Sequence, residues 1–340
     1  MPTTRASARK AAESDAKPEP QYENGAAKAG SKRKPESKAA SEDKAHKSSK
    51  AHSGQAATDA EKKSPTKAKP KSSGGAVKSD AGREEAQPSN IVEKGLIYFF
   101  TRGRVGVEEP ESAKDLQPSY IVLRPIPSGA ELGKGPIQDH RTCRLIALPK
   151  KVLPTSGRNR FMAFVEKAGQ SMEKLKVNFF RGYEKETKTR GMRETPPVKP
   201  VAEGVHALTT TGRSSHLAYM LTVPSEVGEL QDDLGLSQKG SFVISQEPKF
   251  GRLSWMPIPE ANFLDYPNAQ ILLIGEAQNG FGHAVEPTKE DEKQSKATPQ
   301  EELETLENEG QIRIEGLGGS DAIFAGLHVS KKEYSPVVTT

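Results

Sequence analysis

The chain has 340 residues and a formal net charge of +5. Its single cysteine, Cys143, excludes an intrachain disulfide, which suits a reducing compartment. The longest aliphatic run, Ile271-Leu272-Leu273-Ile274, falls far short of the ~20 apolar residues of a membrane-spanning helix, so no membrane is expected among the partners.

The charge is spread unevenly. Residues 1–90 hold 19 Lys and Arg against 12 Asp and Glu, which leaves 31 against 33 in the remainder. In that first stretch the only large apolar or aromatic residues are Met1, Tyr22 and Val77. So little apolar surface cannot offset a backbone ordering cost of roughly 1–2 kcal/mol per residue, and the expectation is a long disordered basic tail over 1–90. Two basic runs stand out in it: Lys32-Arg33-Lys34, and Lys62, Lys63, Lys67, Lys69 and Lys71 around Ser64-Pro65. Such runs are read by nuclear importers and attract nucleic-acid phosphates without sequence preference. Ser64 is a candidate phosphosite, because a charge of about −1.5 to −2 there would weaken that attraction. A plain solvating bristle is the other reading, since the acidic residues dilute the tail.

Order is expected from Ile91. Gly95 to Phe100 is aromatic and β-prone, Tyr120 to Leu123 suits a buried strand, and Cys143 to Leu148 suits a second. Phe161, Phe164, Val165 and Ala168 fall at helical spacing after Ser156, which predicts a core helix over 157–168. Ser171 can cap a second helical segment carrying Met172, Leu175 and Phe179. Residues 181–200 are basic and proline-rich, a long exposed connection in which five cations lie near Tyr183. Gly204 to Thr209 and Leu217 to Val223 flank a Gly-containing loop and read as a hairpin. A helical turn over 227–234, a strand at Phe242 to Ile244 and a last strand from Ala269 to Ile274 complete the expected core, 91–285. Residues 286–310 hold 9 acidic and 3 basic residues and read as a second disordered, acidic segment. Residues 311–340 form a C-terminal segment that either completes the core or stays off it. The fold class expected is α+β: a single compact domain of mixed or antiparallel strands with two or three helices, since strict βαβ alternation is missing.

Several phrases of the core occur together in one family. They are Phe99-Phe100-Thr101-Arg102-Gly103-Arg104-Val105-Gly106-Val107, Ala147-Leu148-Pro149-Lys150-Lys151-Val152-Leu153-Pro154, Glu186-Thr187-Lys188-Thr189-Arg190-Gly191, Ser215-His216-Leu217-Ala218-Tyr219 and Leu264-Asp265-Tyr266-Pro267-Asn268-Ala269. As a set, spanning 96–276, they resemble a family of filamentous-fungal proteins often labelled "BTB domain transcription factor". The resemblance implies nuclear, transcription-associated work and carries over no site residue. The residues themselves read mostly as strands and loops.

Chemistry-bearing motifs are sparse. His216 stands beside Ser214 and Ser215, but adjacent strand residues point to opposite faces, so Ser215 and His216 are poorly placed to meet. Asp139, His140 and Cys143 lack the second ligand pair of a zinc site, and neither metal nor cofactor is expected. Trp255 anchors a loop or lines a groove. Arg102, His216 and Asp265 are the polar residues expected to converge if the core holds a pocket. The reading is a non-catalytic nuclear interaction protein with an unidentified protein partner, whose tail gives nuclear targeting and weak non-specific nucleic-acid contact. The alternatives are a cytoplasmic location, and an enzyme or small-ligand-binding protein with a pocket in the core.

Overall fold

The computed structural model describes residues 77–107, 112–188, 191–247, 254–276 and 280–317, all within one compact unit, Ala68–Thr340. The basic runs of the tail, Ser64 included, lie outside the described residues. The elements are β1 (Val77–Ser79), α1 (Ala81–Ala86), β2 (Ile91–Arg102), β3 (Tyr120–Ile126), β4 (Ala130–Leu132), β5 (Cys143–Ala147) and β6 (Arg160–Gln170). There follow α2 (Met172–Leu175), β7 (Tyr183–Thr187), β8 (Gly191–Thr195), β9 (Val198–Thr210), β10 (Ser215–Val223), α3 (Glu229–Asp233) and β11 (Lys239–Gln246). Last come β12 (Met256–Pro257), β13 (Gln270–Gly275), α4 (Gly280–Ala284), α5 (Lys289–Lys293) and α6 (Pro299–Gly316).

Eight strands close into an antiparallel barrel. Two four-stranded meanders, β2-β3-β5-β6 and β9-β10-β11-β13, are joined at both seams, where β2 pairs with β9 and β6 pairs with β13. Pairing of β10 with β11 continues the second meander around to the other seam. The mixed α and β content is as expected; closure into a barrel is the new element. Strand alternation then sorts the side chains into two clusters. Ile97, Phe99, Ile121, Leu123, Leu217, Tyr219, Phe242, Ile244, Ile271 and Leu273 form one and fill the bore. Leu96, Tyr98, Phe100, Val122, Leu145, Val205, Ala218 and Met220 alternate with them along the strands and form the other, on the outer wall. Leu175 of α2, Phe179 and Phe180 just after it, and Leu303 and Leu306 of α6 cover that wall.

The expected helix over 157–168 is instead strand β6. Gln270 to Ile274 pair with Phe164 to Arg160 on one side, and β5 pairs on the other. The same residues satisfy a period of two, with Ala163 and Val165 buried in the bore, whereas Phe164 is 44% exposed on the outer wall. Long-range ladder bonds to two neighbours override the local helical spacing. The Ser171 cap is present: its hydroxyl accepts from the Lys174 amide at 3.1 Å and starts α2. The 204–223 hairpin is β9–β10, turning at Gly212 with φ +78°.

Residues 286–310 are not disordered but supply α5 and most of α6. Thr298 and Glu301 form a capping box, with Pro299 in the first turn. Leu303, Leu306 and Ile314 bury one stripe of α6. The acidic charge is partnered rather than repelling: Glu302 binds Arg83 at 3.0 Å and Lys94 at 2.5 Å, and Glu309 binds Arg83 and the Leu132 amide. The same contacts move the start of the fold upstream of Ile91, because Arg83 of α1 lies in the expected tail. Of the C-terminal segment, Arg313 and Ile314 pack on the core through α6, and residues beyond 317 lie outside the described set.

Candidate functional site

The three polar residues expected to converge do not meet. Arg102 ends β2, and Glu93, which shares the Asp265 cluster, begins it, so the two lie at opposite ends of a 12-residue strand. His216 is on the outer wall, out of phase with Leu217 and Tyr219 of the bore.

At one mouth of the barrel, Asp265 accepts from Arg144 Nε at 2.7 Å, and Arg144 also binds Glu93. His206 Nε2 lies 3.3 Å from Glu93. Burial alone would raise the Glu93 carboxyl, but the His206 hydrogen bond and the Arg144 charge outweigh it and hold the group below the ordinary range. This network sets paired charges at that end of the bore, with His206 Nδ1 left buried and without a hydrogen-bond partner.

On the outer wall, Ser214 Oγ lies 2.7 Å from His216 Nε2, and His216 Nδ1 lies 3.2 Å from Glu276. The serine is the one two positions away, which strand geometry places on the same face; Ser215 points inward and donates to the Ile258 carbonyl. Sequence inspection weighed the adjacent serine and missed the Ser-x-His spacing. Nucleophile, base and orienting carboxylate are in the right order. Ser214 sits on the hairpin turn, however, where its hydroxyl also contacts Thr211 Oγ1 at 3.0 Å. A hydrolytic centre needs in addition a cleft and an oxyanion hole.

A further site lies at the Arg102 end, where the Arg102 guanidinium forms a clamp. This guanidinium is buried, donates to the Phe179 carbonyl at 2.7 Å and to the Pro196 carbonyl, and lies 5.0 Å from the Phe179 ring centroid and 5.8 Å from that of Tyr120. It staples the turn after α2 to the start of β9. Between this clamp and the β7–β8 ribbon runs a groove of about 400 Å³, lined by Gln117, Tyr120, Asn178, Tyr183, Lys185 and Arg193 among others. Tyr183 is 55% exposed there. The exposed basic connection expected over 181–200 is therefore a ribbon with a groove-facing side.

Cys143 is buried in β5, and burial pushes its thiol up to about 11, so it is an unreactive core residue. Among the described residues no group of three or more His, Cys, Asp or Glu side chains is arranged to hold a metal ion, and no helix is long and apolar enough to cross a membrane. The chain matches no known protein family model, no curated protein and no solved structure.

Proposed function

We propose that this protein is a nuclear interaction protein in which the barrel acts as a scaffold rather than a container, while the basic tail gives nuclear entry and loose nucleic-acid contact. The observation that carries the scaffold half is the filled bore. The cavity left between Ile121, Leu123, Ile146, Leu217, Ile244 and Leu273 is about 10 Å³, too small for anything beyond a single water. Ligand-carrying barrels keep a roomy interior; among the described residues this stretch of the bore is packed with side chains, which favours recognition by the outer surface. The tail half rests on the charge partition, and the family resemblance points to the same compartment. With both basic runs neutralised by Ala at Lys32, Arg33, Lys34, Lys62, Lys63, Lys67, Lys69 and Lys71, a tagged full chain is expected to lose nuclear accumulation. It should also lose its salt-sensitive binding to unrelated duplexes, with dissociation constants of roughly 10⁻⁴–10⁻⁶ M at physiological salt before the change. Unchanged nuclear signal in that variant, or selective binding to one duplex, overturns the reading.

One observation favours a second reading, an enzyme, and it is the Ser214–His216–Glu276 relay. Were it a working centre, an alkyl fluorophosphonate would label Ser214 in the native chain, and Glu276→Gln would slow labelling. Labelling no faster than in the unfolded chain leaves the relay as a brace between the hairpin turn and the end of β13.

A further inference from the structure

The β7–β8 ribbon carries an arrangement that ordinary strand pairing avoids. Lys185 lies directly opposite Arg193, and Glu184 lies directly opposite Glu194. Directly opposed side chains on one face stand ~4.5–5.5 Å apart at Cβ, and like charges there destabilise the pair. Neither Lys185 nor Arg193 makes an ion pair among the described residues, although Glu166 and Glu194 are within the same groove lining. Both cations face the groove beneath the ribbon, and Tyr183 stands two residues along the same face as Lys185.

We propose that the groove between the β7–β8 ribbon and the Arg102 end of the barrel binds a phosphorylated peptide, whose phosphate sits between Lys185 and Arg193. Two adjacent cations with no ion-pair partner among the described residues match a group of about −1.5 to −2 charges with three acceptor oxygens. Arg193 supplies a fork and Lys185 a point charge, the pairing that recurs in phosphate recognition. The volume suits a few side chains of an extended segment. Asn178 and Thr195 offer neutral hydrogen-bonding groups along it, and the exposed Tyr183 ring offers apolar contact. A nucleic-acid strand fits less well. It brings a charge at every phosphate, and those beyond the first would meet Glu166 in the groove lining. A peptide brings one concentrated dianion. Binding would remove the repulsion that the empty ribbon bears.

This inference rests on the interaction reading only for the choice of a peptide as carrier. The test uses the full chain at physiological salt and measures fluorescence anisotropy of a phosphoserine peptide pool with randomised flanks, beside its unphosphorylated twin. The double variant Lys185→Gln, Arg193→Gln is expected to weaken phosphopeptide binding by roughly tenfold or more. Lys67→Gln with Lys69→Gln removes the same charge from the tail and is expected to change it by less than about twofold. Glu166→Gln should tighten binding. A thermal melt of the double variant at or above that of the parent shows that the ribbon is intact. Equal binding of the unphosphorylated pool, equal loss in the tail variant, or a single-stranded oligonucleotide held through the same two cations overturns the proposal. Nuclear accumulation does not depend on the groove, so the double variant remains nuclear if the broader reading is right, and the two can fail separately.

Discussion

Replacing Glu203 by Ala is expected to lower the unfolding free energy by about 3–5 kcal/mol, the cost of leaving a buried charge without its partner. Arg313 of α6 is 0% exposed and donates through Nη2 to Glu203 of β9, itself 1% exposed. Burial raises the Glu203 carboxyl above the ordinary range against the pull of Arg313, whereas burial of Arg313 is outweighed by the Glu203 charge, which raises the guanidinium. The pair is also incompletely satisfied. Arg313 Nε and Nη1, the second Glu203 oxygen and the Tyr98 hydroxyl are buried without a protein partner. Breaking half of such a pair costs far more than removing both halves. The double variant Glu203→Leu, Arg313→Met should therefore recover most of the loss. Urea unfolding of the full chain, followed by the fluorescence of Trp255, measures both. A cost below about 1 kcal/mol for Glu203→Ala would mean that water reaches the guanidinium.

The second large effect is expected at Gly204. This residue lies in β9 between Ile97 of β2 and Leu221 of β10. A methyl group built on it would sit 2.1 Å from the Met220 carbonyl oxygen and 2.9 Å from the Leu221 Cα. Both are backbone atoms held in the ladder, so no side chain can swing away. Gly204→Ala should cost at least the upper end of the roughly 1–3 kcal/mol typical of overpacking. Gly282 of α4 provides the control, since an added methyl meets nothing within 4 Å there. A thermal melt should show Gly282→Ala unchanged or slightly raised, because alanine is the better helix former. Equal melting temperatures for the two variants would mean that the barrel opens between β9 and β10 to admit the methyl.

What the sequence made legible was local. The Gly95 to Phe100 strand, the Gly204 to Val223 hairpin, the Ser171 cap and the Ala269 to Ile274 strand each depend on residues within a few positions of one another. Barrel closure does not. Nothing near Ile97 indicates that Gly204 will lie beside it, and nothing near Phe164 indicates Gln270. Phe161 and Val165 satisfy a helical and a strand period at once, and only the neighbours decide between them. The acidic segment misled for a different reason. Its net charge suggested self-repulsion, but Arg83, Lys94 and Lys239 were waiting on other elements to receive it. The Thr298-Pro299 start with Glu301 was a readable helix signal that composition obscured. The groove was half visible: the basic run was plain, while the opposition of Lys185 to Arg193 needed the ribbon's register.

The seams of the barrel also set an order of events during synthesis. β2 is the first barrel strand to leave the ribosome, yet one of its two neighbours, β9, follows about a hundred residues later. At the ~5–20 residues per second of translation, β2 spends several seconds with that edge unpaired, and its aromatic residues lack half of their cover. The second meander cannot shut the ring until β13 has emerged to meet β6. A nascent chain of this design presents sticky strands for longer than a helical protein of equal length, and its yield in cells should depend on the chaperones that shield them.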